Sequence, residues 1–292
     1  MANRRVLVKR RKAVRNIRKI TRTMQLIATA RFQAAFNRAV ATKPYTEKLA
    51  ELVADLSRAA GSVDHPLLRS NPEAGRSALV VLTSNRGLAG GYNAGVLRAA
   101  LAHIEEQTGR GVEPQVHMVG KKGIGYFRFL RRTVAEQTTG ITDRVRFEQV
   151  EPIANALIDQ FTRGEIASAH VAYMRFLSAG VQRPAVVQLL PLTPRTESED
   201  QAEQGPSVQY EFSPDPRQLL DELLPATVRV RLFQAFTDAA VSEQVARMVA
   251  MKAATDAAAD MIKSLTREYN RARQTQITME LLDIVGGANA LA

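Results

Sequence analysis

The distribution of backbone breakers constrains this chain more than any other feature. Proline is absent before Pro44 and after Pro225, and fifteen of the seventeen glycines lie between Gly61 and Gly205, with only Gly286 and Gly287 outside. An interior proline costs a helix about 3 kcal/mol and a glycine about 1 kcal/mol. Two breaker-free ends around a glycine-rich middle therefore predict long terminal helices flanking a domain with many turns.

The first segment, residues 3–59, carries Val14, Ile17, Ile20, Met24, Ile27, Ala28, Phe32, Ala35 and Phe36 at alternating steps of three and four, which is one helical face. Pro44 predicts a bend or local loosening near Lys43. The last segment opens at Ser213-Pro214-Asp215-Pro216, where Asp215 suits an N-cap and Pro216 the first helical position. Pro225 predicts one interruption; beyond it Met251, Ala254, Ala258, Met261, Leu265, Tyr269 and Ala272 repeat the alternation with many small residues. Sixty helical residues make a rod roughly 90 Å long. Such a helix gains stability mainly by burying its stripe, so the two ends are expected to pair as an antiparallel coiled coil with the middle domain at one tip.

The middle alternates strand-like and helix-like runs. Residues 78–83, 115–119, 170–176 and 185–190 read as strands; 93–104, a piece near Tyr126, and 150–161 read as helices. The expected class is α/β, a Rossmann-like domain with a mainly parallel sheet. Residues 194–207, with Glu197, Glu199, Asp200 and Glu203, have the composition of an acidic mobile linker. The expected organisation is a first coiled-coil helix over 1–60, a central domain over 61–212 and a second coiled-coil helix over 213–292.

Composition removes several chemistries. The 292 residues include no cysteine, so no disulfide, thiolate metal site or thiol nucleophile can form. No run approaches the roughly 18 apolar residues of a membrane helix, and the first thirty positions lack the apolar core of a secretory signal. The net charge of +11 is concentrated at one end: residues 1–46 hold thirteen Lys and Arg and no acid before Glu47.

Two glycine turns invite a phosphate-binding reading, Ser84-Asn85-Arg86-Gly87-Leu88-Ala89-Gly90-Gly91-Tyr92-Asn93 and Gly120-Lys121-Lys122-Gly123. Neither has the GxGxxG or GxxxxGK[ST] spacing, and both read better as tight turns. His65, His103, His117 and His170 form no HxxxH pair and read as ordinary histidines, while Glu105-Glu106 and Asp221-Glu222 read as solvated faces. No catalytic, cofactor-binding or metal-binding residues are assigned.

The basic run Arg4, Arg5, Lys9, Arg10, Arg11, Lys12, Arg15, Arg18, Lys19 and Arg22 admits three readings: a nucleic-acid helix like a basic zipper, an organelle-targeting peptide, or a rod with a cationic face toward acidic protein loops. Its charges alone do not choose among them.

Particular words of the sequence do. Ile17-Arg18-Lys19-Ile20-Thr21 through Met24 to Ala28, Thr29 and Ala30; the turn at Ser84 to Asn93; Ala246-Arg247-Met248-Val249-Ala250-Met251-Lys252-Ala253-Ala254-Thr255-Asp256; Tyr269-Asn270-Arg271-Ala272-Arg273-Gln274 with Ile277, Thr278 and Glu280; and Ile284-Val285-Gly286-Gly287-Ala288 together closely resemble the gamma subunits of F-type ATP synthases.

The resemblance implies a non-catalytic rotor shaft. Its terminal helices would thread a hexamer of alpha and beta subunits, and its α/β domain would lie near the epsilon subunit and the membrane c-ring. The catalytic sites would be on the beta subunits. It further implies partner-contact roles for Arg10, Arg11, Lys12, Met24, Arg247, Arg273, Gln274, Glu280, Ile284 and Val285, no cofactor, and no nucleic-acid partner. The implied location is peripheral, at the cytoplasmic face of a bacterial inner membrane. Met279 stands where many relatives carry glutamine, and Ala89 where several carry cysteine. The alternative kept beside this reading is a nucleic-acid-binding basic coiled-coil protein.

Overall fold

The structure is a computed structural model, and it describes residues 4–59, 65–69, 71, 73–192 and 216–291. The expected acidic linker over 194–207 and the Asp215 cap lie outside the described residues. Two compact units result, one of residues 1–30 with 247–292, the other of residues 31–246, and both boundaries fall inside long helices.

Helix α1 spans Arg4–Ala59 and α5 spans Pro216–Leu291. The interruption expected at Pro225 is absent, α5 being continuous through it, and α1 likewise runs through Pro44 without a break. A proline removes one bond, that to the carbonyl four residues back. For Pro225 this is Asp221, whose side chain is 71% exposed close to the helix start, where water can take the carbonyl. For Pro44 it is Val40, itself 51% exposed.

In the unit of residues 31–246, a five-stranded sheet has the order β3-β2-β1-β4-β5, with β1 Arg76–Leu82, β2 Glu113–Val119, β3 Glu136–Thr138, β4 Ser168–Ser178 and β5 Val181–Leu190. Strands β3, β2, β1 and β4 are mutually parallel, and β5 returns antiparallel on β4. Residues 77–82 of β1 are all buried, which requires cover on both faces. One face packs Leu79, Val81, Met118 and Met174 under α2 (Tyr92–Gly109) and α3 (Lys121–Phe129). The other packs Val80, Leu82, Val171 and Tyr173 against α4 (Phe147–Thr162), Leu56 of α1, and Leu220, Leu224, Val228 and Leu232 of α5. The α/β class with a mainly parallel sheet is thus realised. The three-residue β3 was absent from the sequence reading, having no apolar residue to signal it.

Both glycine turns are structural. Leu88 and Gly90 take positive φ of 65° and 54°, and the loop is tied by the Ser84 amide donating to Asn93 Oδ1 at 2.9 Å. At the second turn the amides a phosphate would need are used internally. Gly123 donates to Thr83 Oγ1 at 2.9 Å, Lys122 to the Ser84 carbonyl at 3.1 Å and Lys121 to Asn85 Oδ1 at 3.3 Å.

In the other unit, residues 4–30 of α1 lie against α5 from residue 247 onward. Thr21 Oγ1 meets Thr255 Oγ1 at 2.8 Å, and the Arg11 guanidinium lies 4.9 Å from the Tyr269 ring centre. As the number falls along α1 it rises along α5, so the pair is antiparallel. The inner positions of α5 run Met251, Thr255, Ala258, Ile262, Leu265, Tyr269, Ala272, alternating steps of four and three. Those of α1 run Leu7, Val14, Thr21, Ala28 at steps of seven. Both are the heptad signature of a coiled coil. Several residues expected on this seam are instead exposed: Ile17 by 52%, Ile20 by 58%, Ile27 by 49% and Met261 by 54%. The seam mixes small residues, Thr21, Ala28, Thr255, Ala258 and Ala272, with larger ones, and Ile17, Ile20 and Ile27 fall off the positions 7, 14, 21 and 28 and so face outward.

Candidate partner-binding surface

The surface most unlike that of a self-sufficient domain lies on the paired helices of residues 4–30 and 247–291. In the described part of α1 up to Ala30 there are ten Lys and Arg and no acid. Lys12, Arg15, Arg18, Lys19 and Arg22 line a depression of about 700 Å³ with Asn16 and Ile262. Like charges at steps of three and four repel on a helix face, so this spacing favours the bound presence of something acidic.

The same unit exposes large apolar side chains in quantity. Val6, Val8, Ile17, Ile20, Leu26 and Ile27 on α1, and Val249, Met261, Ile277, Met279, Leu281, Leu282, Ile284 and Val285 on α5, are each at least 41% exposed. Large apolar side chains exposed in such number mark association with another protein or a membrane. The Arg11–Tyr269 register puts Arg4 level with about residue 276, and residues 276–286 of α5 are all exposed. That end of α5 has no described α1 residue to cover it.

The residues singled out from the sequence fall into two groups. Arg10, Lys12, Arg273, Gln274, Glu280, Ile284 and Val285 are exposed. Glu280 accepts a hydrogen bond from Gln276 Nε2 at 2.8 Å, one turn back on the same helix. Arg11 and Met24 are half-buried, the former stacked on Tyr269, and Arg247 is only 8% exposed. Arg11 thus faces the partner helix, and Met24 and Arg247 are covered rather than free on the surface. The exposed Ile17, Ile20 and Ile27 escape notice as surface residues because helical periodicity alone assigns apolar side chains to the interior.

Two histidines lie beside single carboxylates, His65 at 3.6 Å from Asp221 and His117 at 3.0 Å from Glu136. Burial lowers the His117 pKa, Glu136 opposing, and its ring bonds Glu136 at 3.0 Å and Thr138 Oγ1 at 3.0 Å. His170 is lowered to about 4, first by burial and then by the neighbouring His103. Among the described residues no group of three or more His, Cys, Asp or Glu is placed to hold a metal ion, and no helix is long and apolar enough to cross a membrane.

The ATP synthase family profile matches residues 3–291. The chain is 44% identical to the ATP synthase gamma chain of Rhodopirellula baltica, covering 100% of this chain and 99% of that one. It is 42% identical to the gamma chain of Frankia casuarinae, covering 97% and 96%. Its fold is similar to a chain in a Euglena gracilis mitochondrial ATP synthase structure of OSCP, F1 and c-ring, with TM-score 0.66 at 17% identity over 99% of this chain and 94% of that chain. A chain from the Tetrahymena thermophila central stalk and c-ring gives TM-score 0.57 at 18% identity, over 80% and 99%. With the heptad seam, the basic helix and the sheet order all on one chain, and with relatives matched from end to end, the protein belongs to the ATP synthase gamma-chain family.

Proposed function

We propose that this chain is the central rotor shaft of an F-type ATP synthase, coupling ion-driven rotation of a membrane ring to conformational change at catalytic sites on beta subunits. The observation that carries the reading is the paired-helix unit: acid-free and cationic on one helix, studded with exposed apolar side chains on both, and held by a narrow seam. Such a surface suits a partner that encloses it. The nucleic-acid alternative has no support from the family match.

A shaft must transmit torque and let its contacts change. Two helices locked by heptad packing resist bending better than one. Contacts between exposed cations and acidic loops are individually weak, on the order of 1 kcal/mol or less, so they exchange as the shaft turns. The apolar end of α5, with Leu281, Leu282, Ile284 and Val285, has no charge of its own to anchor except Asp283, and suits an apolar sleeve in which it can slip.

Within this reading, Arg10, Lys12, Arg273, Gln274, Glu280, Ile284 and Val285 meet the alpha–beta hexamer. Arg11, Met24 and Arg247 support those contacts from covered positions. The α/β unit meets the epsilon subunit and the c-ring, and the protein is peripheral at the cytoplasmic face of a bacterial inner membrane. The chain itself carries no step of ATP chemistry.

Co-expression with the alpha and beta chains of the same source tests this. The expected result is one copy of this chain per hexamer, ATP hydrolysis that depends on its presence, and none by this chain alone. Failure to co-purify, with all chains folded, would sink the reading.

A further inference from the structure

We propose that His103 and His170 together bind one borderline divalent transition metal ion of the zinc class, on the α2 side of the sheet within the unit of residues 31–246. His103 projects from α2 and His170 from β4, far apart in sequence. Their ring centres are 4.5 Å apart with planes inclined at 54°. Nε2 of His103 and Nδ1 of His170 are both buried and neither has a hydrogen-bond partner.

A buried polar nitrogen left without a partner carries the full cost of its lost hydration. Two such nitrogens on adjoining rings are therefore an expensive arrangement unless something satisfies them together. Neutral imidazole nitrogens bind zinc at about 2.0–2.1 Å. Two imidazoles on one near-tetrahedral ion have ring centres roughly 5 Å apart by that geometry, and the 4.5 Å between these two rings is a spacing of that order. The other histidines are engaged elsewhere: His65 Nδ1 accepts from the Leu67 amide at 3.1 Å, and both nitrogens of His117 have partners.

The two rings line a cleft of about 540 Å³ with Glu106, Gln107, Arg110 and Gln188, which gives an ion a route from solvent. Glu106 is one turn along α2 from His103 and is paired to Arg110 at 2.6 Å. No third ligating side chain joins the histidines among the described residues, so water completes the coordination. With two protein ligands the site is a weak, exchangeable one and not a closed structural zinc centre, and because both nitrogens are covered the ion reaches them only as the contact between α2 and β4 opens toward the cleft. The inference does not depend on the rotor reading and makes no use of the paired helices.

The test uses the full 292-residue chain without a histidine tag, stripped of metal and titrated with Zn²⁺ against a chromophoric chelator. One ion per chain is expected, with a rise in Tm on loading. His103→Gln and His170→Gln should each weaken binding by at least the roughly tenfold that disturbing a mere supporting partner of a ligand costs, and His117→Gln should leave it unchanged. Bound Cu²⁺ should show electron-spin coupling to two imidazole nitrogens in the parent chain and to one in either variant. His103 is only half-buried on a helix, so His103→Gln decides the matter even if His170→Gln fails to fold. No saturable uptake by the parent chain, or uptake unaltered in a natively folded His103→Gln, overturns the proposal.

Discussion

Thr21 and Thr255 join the two long helices through their hydroxyls at 2.8 Å, both side chains buried in the seam. Thr21 Oγ1 also bonds the Arg18 carbonyl at 3.1 Å, and Thr255 Oγ1 the Met251 carbonyl at 2.8 Å. Each hydroxyl has one proton, so the chain runs either from Thr255 to Thr21 and on to the Arg18 carbonyl, or from Thr21 to Thr255 and on to the Met251 carbonyl. A single polar pair among apolar seam positions penalises any other register, because a slip buries both hydroxyls against apolar neighbours.

Thr21→Val and Thr255→Val each keep the shape of the side chain and leave the surviving hydroxyl its own backbone carbonyl. Each single change should cost about 1 kcal/mol, and the double-mutant cycle should return a coupling of roughly 0.5–1.5 kcal/mol. Urea denaturation of the four proteins measures it. Strict additivity would show that the contact does not hold the register.

Asp238 gives the other unit a pH dependence. Burial raises its pKa to about 6 from 3.8, against the opposing Gln234 hydrogen bond at 2.8 Å and the charges of Arg175 and Lys43; Tyr173 beside it is raised to about 12, chiefly by burial. Between these two carboxyl values the native state holds more protons than the unfolded state. Stability from this group is therefore full below about pH 4 and is lost as pH rises through about 6. Asp238→Asn should be roughly 2 kcal/mol more stable than the parent at pH 8, the difference closing near pH 4. Urea midpoints at the two pH values check the sign; a variant that is less stable at pH 8 would show that the anion is held by its cationic neighbours.

The terminal helices were legible because breakers leave an unmistakable trace, and the parallel strands because ALVVL-type runs are buried on both faces. The seam was not. Periodicity located Ala28, Met251, Ala258 and Leu265 correctly, yet it took Ile17, Ile20, Ile27 and Met261 inward and overlooked Leu7 and Thr21. Periodicity reports that apolar residues share a face, but a helix enclosed by other proteins has two apolar faces, and only packing tells which one its own partner takes. The His103–His170 pair was invisible for another reason: its proximity arises from α2 lying across the sheet, which no local spacing encodes.

Gly120 stands at φ 96°, and a Cβ there would run into the Thr83 carbonyl. Neither atom is the end of a flexible side chain, and Thr83 is also fixed by its amide to the Val119 carbonyl at 2.9 Å. Gly120→Ala should destabilise the unit of residues 31–246 by about 3 kcal/mol or more, adding a steric clash to the 1–3 kcal/mol of an unfavourable backbone region. Gly75→Ala, with no atom near its added Cβ, is the control. Equal denaturation midpoints for the two would contradict the close approach.

The basic helix combines residues with different tasks. Arg10 and Lys12 are exposed, whereas Arg11 lies over Tyr269. Arg10→Gln with Lys12→Gln should reduce coupled ATP synthesis in the assembled complex while leaving the melting temperature of the chain within about a degree, since exposed charges contribute little to folding. Arg11→Gln should do the reverse in part, costing about 0.5–1 kcal/mol of helix pairing through the lost cation–π contact. Paired thermal melts and synthesis assays separate the two. Unchanged synthesis in the Arg10, Lys12 variant, with assembly intact, would remove the electrostatic role.

The end of α5 provides the sharpest separation of folding from coupling. From residue 276 to 286 every position is exposed, and Ile284 and Val285 reach 69% and 56%. An apolar side chain left in water contributes almost nothing to the stability of its own chain and its full burial, roughly 1.5–3 kcal/mol each, to that of whatever encloses it. Removing residues 286–292 should therefore leave the denaturation midpoint of the isolated chain unchanged while weakening assembly or coupling with the alpha and beta chains, and changing Ile284 and Val285 to Ser in the full chain should weaken it further. Circular dichroism melts and co-purification yield measure the two sides. A truncated chain that cannot fold would mean that the segment is packed against its own protein, and unaltered assembly in the Ile284, Val285 variant would mean that the partner grips the helix pair elsewhere.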